Sequence, residues 1–198
     1  MFFNTLSTIL LGIAGGLLSS IIVSRVFWIM SELKELQDTL EIEYGKLCFL
    51  HGSVDVIKTL IEDDYDRITK SYNSADEIPI HPYSQDDMRP IIDGIKNGAG
   101  KEWIHLVNLN TKEKEVADII DIFISYLDKL KAINIPTFEF ITGAETLFDD
   151  CRQRVNDYKS KSGKRFVKRL LSDKMMIVLY VIVLLIITAT ILTAVFNV

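Results

Sequence analysis

The sequence has few of the side chains from which catalytic and metal sites are built. Its 198 residues include three histidines and two cysteines, and no two histidines have the His-x-x-x-His spacing that lets one helix hold zinc. Cys48, His51 and Cys151 are the one set that packed helices could bring together, but buried core thiols beside an ordinary histidine are the commoner arrangement. We therefore expect no metal and no other cofactor.

Nucleotide-binding and nucleophile motifs are also missing. The sequence contains no Gly-Lys-Ser/Thr, which a phosphate-binding loop needs, and no Gly-x-Ser-x-Gly nucleophile elbow. Two short acidic runs, at 62–64 and 86–87, are of the kind that usually faces solvent. These absences predict that the protein is not an enzyme.

Charge is absent from two long stretches at the ends of the chain. Residues 1–24 and 175–198 contain no Asp, Glu, Lys or Arg. A helix of that length measures roughly 36 Å, and the hydrocarbon core of a bilayer is about 30 Å thick. We therefore predict two transmembrane helices, an N-terminal one within 1–30 and a C-terminal one at 175–198.

Basic residues indicate which end of each predicted span faces the cytoplasm. The first span has no basic residue before it and is followed by Arg25 and Lys34. The second is preceded by nine basic and two acidic residues between Arg152 and Lys174. Both patterns place the middle of the chain in the cytoplasm and both termini outside, as a multi-pass protein of the inner membrane.

The basic segment at 160–174 is predicted to be a juxtamembrane neck. Basic and apolar pairs alternate over 164–171, which is typical of a short helix at the membrane surface. We assign contact with anionic lipid, or with a partner, to its cations: Lys161, Lys164, Arg165, Lys168, Arg169 and Lys174. Setting the topology is the simpler role for the same residues.

The first span carries small side chains at every fourth position: Gly12, Gly16, Ser20 and Ser24. Residues four apart lie on one side of a helix, and small side chains there let a second helix approach closely. We predict packing at these positions with the second span of the same chain or with the first span of another copy. The second case would make the protein a homo-oligomer. The alternative is that the glycines have no such role, since glycine is common in spanning helices.

The region between the spans, 31–159, is predicted to be an all-α cytoplasmic domain, an antiparallel helical bundle flanked by the two transmembrane helices. Apolar residues recur at spacings of three and four over 33–50, 54–72, 116–130 and 138–158, the period of amphipathic helices. We expect Gly52 to separate the first two helices. A capping box, Asn110-x-x-Glu113, is expected to open the third.

Residues 73–109 are harder to assign. Three prolines between 79 and 90 argue against a long helix over 73–90. A short helix around 88–95 is expected to end at the glycines of 97–100, and 101–109 suits either a helix or a strand. The loop at 79–83 is the best candidate for a recognition surface, because binding residues often lie on loops.

Two single-pass helices around a small helical cytoplasmic domain, in a chain of 198 residues, resemble the two-transmembrane effector proteins encoded beside bacterial retron reverse transcriptases. The resemblance is one of architecture and covers the whole chain. It implies anti-phage defence by abortive infection. A reverse transcriptase with its RNA–DNA product would restrain the effector, and the released effector would damage the inner membrane.

Two functions fit this organisation, and an enzyme whose residues match no known motif is a third alternative, against which the missing motifs argue. In the first, the domain holds the spans quiet until a cytosolic protein or ribonucleoprotein regulator releases them, and the spans then make the lipid bilayer leak. In the second, the chain is a non-catalytic anchor that recruits a cytosolic partner to the membrane, and the spans never open.

Overall fold

The structure is a computed structural model that describes residues 2–72, 85–109, 111 and 113–196. These residues form six helices and no strand, so the all-α prediction is confirmed. The helices are α1 (Phe2–Tyr72), α2 (Gln85–Val107), α3 (Lys114–Lys131), α4 (Phe138–Ser160), α5 (Ser162–Ser172) and α6 (Lys174–Phe196). The loop at 79–83, which the sequence favours for recognition, lies outside the described residues.

The chain divides into two compact units. We call Met1–Gln37 with Lys159–Val198 the terminal unit, and Asp38–Tyr158 the central unit. The terminal unit holds the first part of α1 together with α5 and α6, and the central unit holds the rest of α1 with α2, α3 and α4.

Two of the described helices, α1 and α6, are long and apolar enough to cross a membrane. Only 6% of the most apolar window of α1 is buried, and 11% of that of α6. A helix that is apolar all round and belongs to a soluble core would be mostly buried. The exposed apolar side chains, such as Leu17 on α1 and Leu184 on α6, are those expected of helices that face lipid.

The central unit has a core to which each helix contributes one side. The buried residues of α3 are Val116, Ile119, Ile120, Phe123, Tyr126, Leu127 and Leu130. Those of α4 are Ile141, Ala144, Phe148, Cys151, Val155 and Tyr158. Both sets have the spacing of three and four that a helix needs to bury one side, so the amphipathic helices predicted over 116–130 and 138–158 are confirmed.

Gly52 does not interrupt α1, and that prediction is wrong. The helix runs through it, and no atom beyond the helix's own backbone lies within 4 Å of the point where a Cβ would be. A glycine inside a helix costs about 1 kcal/mol relative to alanine. Burial of Leu50 and Val54 on either side of Gly52 offsets that cost, because tertiary packing supplies most helix stability.

The helix expected to end at 97–100 continues to Val107, with Pro90 inside it. A Cβ at Gly98 would lie 2.7 Å from Cδ2 of Leu50, and Ala99 is fully buried. The small residues therefore let α2 approach α1 closely rather than ending α2. Residues 101–107, which the sequence leaves open between helix and strand, are helical.

The capping box predicted at the start of α3 does not form. Glu113 is itself the N-cap residue, with φ −85° and ψ 113°, and it makes no side-chain cap bond. Its N–H donates instead to Thr111 Oγ1, at 3.3 Å. Such local bonds compete with the capping arrangement, and the other member of the box, Asn110, lies outside the described residues.

Among the described residues of the central unit, the carboxylate of Glu43 is buried. Glu43 accepts hydrogen bonds from Lys46 Nζ at 3.0 Å, and its Oε1 lies 3.1 Å from His105 Nε2. Lys46 also lies 3.2 Å from Glu102. Because a buried charge is tolerated when it is paired, these contacts let a carboxylate sit where α1 meets α2.

His51 belongs to an aromatic cluster in the same unit. Its ring stacks on Phe148 with centroids 3.8 Å apart, and its Nδ1 lies 2.9 Å from the Tyr126 hydroxyl. Burial lowers the pKa of His51 and raises that of Tyr126. The hydroxyl therefore keeps its proton and can donate it to the neutral ring.

We predict that the central unit becomes more stable as pH rises towards 6.5, the ordinary pKa of histidine. Because the folded pKa of His51 is lowered, the unfolded chain binds the extra proton below that pH, and the free energy of unfolding levels off above it. His51→Gln should remove this slope, and His105→Gln should retain it. Urea unfolding of the full chain in detergent micelles, followed by tryptophan fluorescence, measures both. The same slope in His51→Gln as in the wild type would contradict the prediction.

Candidate membrane interface

An arginine and an aspartate join the two segments of the terminal unit. Arg25 lies on α1, and Asp173 lies between α5 and α6. Arg25 Nε donates to Asp173 Oδ1 at 3.1 Å and Nη2 donates to Oδ2 at 2.5 Å, the two-pronged geometry in which arginine binds a carboxylate best. The guanidinium carbon also lies 4.0 Å from the centre of the Trp28 ring. The two charged side chains are 24% and 10% exposed, so the pair is largely withdrawn from water.

The same carboxylate begins the second apolar helix. Asp173 has extended backbone angles, φ −72° and ψ 120°, and its Oδ1 accepts a hydrogen bond from the Met176 N–H at 3.0 Å. This is the N-cap arrangement, in which aspartate satisfies an amide at the helix end. Hydrogen bonding to Arg25 is the main cause that lowers the pKa of Asp173. One charged side chain therefore fixes both the start of α6 and its attachment to α1.

Large apolar side chains extend this contact. Ile29, Met176 and Leu179 are buried together. Six partly buried side chains pack around them: Leu18, Ile22, Val26, Leu33, Phe166 and Leu170. The members on α1 recur at spacings of three and four, so they lie on one side of that helix. This side is the one that α1 uses within its own chain.

The predicted small-residue stripe lies on a different side of α1. Gly12, Gly16, Ser20 and Ser24 are exposed. At the two glycines, no atom beyond the helix's own backbone lies within 4 Å of an added Cβ. At 100° per residue, the middle of the stripe is roughly 140° around the helix from the packed residues. The sequence left two partners open for the stripe: the second span of the same chain and the first span of another copy. The chain's own α6 packs against a different side of α1, and no described residue covers the stripe.

The short helix predicted over 164–171 is confirmed as α5, which turns apolar side chains in two directions. Phe166 and Leu170 pack against the apolar cluster, whereas Val167 and Leu171 are exposed. Two predicted lipid-contact residues lie beside the exposed pair: Lys164 and Lys168. An apolar strip flanked by lysines is the pattern of a helix that lies on an anionic membrane surface.

The other predicted neck cations have different surroundings. Lys161, which precedes α5 in the chain, and Lys174, which follows it, are both exposed. Arg169 forms an ion pair with Glu32 at 3.3 Å, and Arg165 is half-buried and borders a cavity. The six cations therefore share one segment but do not form one uniform patch.

Sequence reasoning missed the pairing of Arg25 with Asp173. It used the arginine as a topology signal and counted the aspartate as an exception in a basic segment. A signal was nevertheless present, because Asp173 lies two positions before the apolar run at 175–198, and an Asp just before such a run is a typical helix N-cap. Opposite charges, Arg25 and Asp173, also lie near the ends of the two uncharged stretches that are nearest the middle of the chain, with Lys174 between Asp173 and the second stretch. Charges near such positions often pair.

The thiols and histidines do not form a metal site in the described part of the chain. No group of three or more His, Cys, Asp or Glu residues there is arranged to hold a metal ion. Cys151 is buried, and burial raises its pKa to about 12. Cys48 is exposed, so the prediction of two core thiols is wrong for this residue. Its neighbour Leu47, about 100° away around the helix, takes the core side.

Two substitutions at Asp173 should separate the ion pair from the helix cap. Asparagine caps a helix about as well as aspartate, whereas alanine does not and costs about 1 kcal/mol more. We expect Asp173→Asn to lower the thermal midpoint of the full chain in micelles by removing the charge, and Asp173→Ala to lower it further. The control Asp118→Asn, on the exposed side of α3, should change it little. An unchanged midpoint in Asp173→Asn would show that the ion pair contributes nothing.

No protein-family model, curated protein or solved structure matches this chain. Its function must therefore be argued from its own residues. The features that bear on it are two apolar helices joined by an ion pair, an uncovered small-residue stripe and a basic helix with an exposed apolar strip.

Proposed function

We propose that this chain is an effector of the bacterial inner membrane, which perturbs that membrane when its cytoplasmic domain is triggered, in anti-phage abortive infection. The proposal treats α1 and α6 as spans with both termini outside. The intervening domain is an antiparallel helical bundle in the cytoplasm. This orientation is supported by basic residues that follow the first apolar stretch and precede the second.

One observation carries the proposal: the small-residue stripe stays uncovered although the two apolar helices already pack together. A stripe of this kind is favourable in lipid when a second helix lies against it. In the effector, copies associate through Gly12, Gly16, Ser20 and Ser24, and the bilayer around the resulting homo-oligomer no longer seals. A pair of spans that only anchored a domain would not need this side of α1.

The quiet state requires a restraint on the cytoplasmic domain. The resemblance to retron effectors suggests a cytosolic ribonucleoprotein regulator, a reverse transcriptase with its RNA–DNA product. Release of such a regulator can act only if the domain or the spans have two packings close in free energy. The basic neck lies beside the anionic leaflet in this arrangement, so lipid is its nearest partner.

A different observation favours the alternative, a non-catalytic anchor that recruits a cytosolic protein. Ile42, Phe49 and Val56 are exposed on α1 in the central unit, and Phe49 is 81% exposed. Their spacing of seven residues places them along one side of the helix. An exposed apolar strip on a helix is a common docking surface for another protein.

We predict that the full chain, overexpressed alone in bacteria, depolarises the inner membrane and lowers viability. Overexpression favours association by mass action, so no trigger is needed. Gly16→Leu should abolish the effect, because a leucine in the middle of the stripe keeps a second helix away. Ala14→Leu adds the same side chain at nearly the same depth, roughly 160° around the helix from Gly16, and should remain toxic. A voltage-sensitive dye and colony counts measure both effects.

Two outcomes would contradict the effector. In the first, the wild-type chain inserts into the membrane without harm and co-purifies with a cytosolic protein, and Phe49→Ser loses that protein. This result would support the anchor instead. Equal toxicity of Gly16→Leu and Ala14→Leu would remove the role proposed for the stripe.

A further inference from the structure

A cavity of about 300 Å³ lies in the terminal unit, between α1 and the first turn of α5. Met30, Leu33 and Phe166 give it apolar walls, and Lys34 and Arg165 line it as well. Its volume is at the small end of the range for ligand pockets, about 300–1,000 Å³. Apolar walls beside two cations suit an amphiphile with a negatively charged head.

The charges at this cavity have one sign. None of the described residues that line it is acidic, and Gln37 and Ser162 add hydrogen-bonding groups. Ser162 is the first residue of α5, whose N-cap residue, Lys161, provides no side-chain cap bond. The positive end of the α5 dipole therefore adds to the field of Lys34 and Arg165. Because Arg165 is half-buried, its hydrogen bonds to an anion would be less weakened by water than those of a surface lysine.

We propose that this cavity binds the phosphate-containing head group of one anionic phospholipid. The inference rests on the membrane placement proposed above, which puts the end of the first span at the depth of the lipid head groups. The acyl chains would leave the cavity past Met30, whose side chain is exposed on α1 at the end of the first span. A free phosphate would satisfy the cations but leave the apolar walls facing water, so the lining favours a lipid.

This site differs from the outward side of α5. Lys164 and Lys168 lie beside exposed apolar residues and do not line the cavity. They attract any anionic membrane surface, whereas the cavity can hold one lipid that stays with the purified chain. The two lysines therefore provide a matched control, with the same loss of two positive charges in the terminal unit.

Native mass spectrometry of the full chain in detergent micelles, titrated with phosphatidylglycerol or phosphatidylcholine, tests the site. The wild type should retain one phosphatidylglycerol per chain and bind phosphatidylcholine at least about tenfold more weakly. The double variant Lys34→Gln/Arg165→Gln should lose about tenfold or more in affinity for phosphatidylglycerol, because two charge-assisted hydrogen bonds are removed. Lys164→Gln/Lys168→Gln should change it by less than about threefold, since exposed charges contribute little.

A second variant tests the cavity without removing charge. Apart from the backbone of its own helix and its chain neighbours, no atom lies within 4 Å of a Cβ added at Gly163, which lines the cavity. Gly163→Phe should therefore place a ring in the space and expel the lipid while both cations remain. Retention of phosphatidylglycerol by this variant and by Lys34→Gln/Arg165→Gln would overturn the proposal.

Further outcomes distinguish the sources of the anion. Excess inorganic phosphate should not displace the lipid; displacement, with phosphate bound in its place, would assign the cavity to a free anion. Equal losses in the two double variants would show diffuse attraction instead of a site. Carbonate extraction separates this inference from the proposed function: a chain that washes off membranes refutes the placement, whereas a retained chain that binds no lipid refutes only the cavity.

Discussion

The contact between Arg25 and Asp173 is the interaction on which the terminal unit depends. It joins the two apolar helices through two hydrogen bonds and starts α6 through the Met176 amide. It also holds the guanidinium against Trp28. Either charge alone at the end of an apolar helix would be costly to remove from water. Each charge compensates the other, which gives a physical reason for an aspartate among the basic residues that precede the second uncharged stretch.

Because this pair fixes which side of α1 meets α6, it also determines which sides remain available. The side that includes Ile22 and Ile29 is occupied within the chain. The side with Gly12 and Gly16 is uncovered, and the cavity beside Met30 opens between α1 and α5. The contact with α6 therefore leaves room on α1 for the two proposed contacts: another copy at the stripe, on a different side of the helix, and a lipid at the cavity, which lies further along the helix. A membrane effector requires such a separation, because its spans must stay stable before they associate.

Segments whose hydrophobic period decides their structure could be predicted from the sequence. The helices α3 to α6 begin and end within about two residues of the segments predicted from the sequence. Predictions failed where packing overrides a local signal. Glycine often ends a helix, but Leu50 and its buried neighbours keep α1 intact at Gly52 and α2 intact at Gly98. The interface of the terminal unit was predictable only in part. Its basic and small residues form local patterns, whereas the role of Asp173 depends on a partner 148 positions away in the chain.

The central claim is that lipid is the solvent of both apolar helices. A nitroxide label at Leu184→Cys, in the full chain with Cys48→Ser and Cys151→Ala, tests it in vesicles by electron paramagnetic resonance. Leu184 is exposed and lies roughly 15 Å along α6 from Lys174, near the middle of a bilayer core about 30 Å thick. The account predicts that oxygen relaxes this label far more than a water-soluble nickel complex does, with the reverse order at Phe49→Cys. Equal access of the nickel complex to both labels would contradict it.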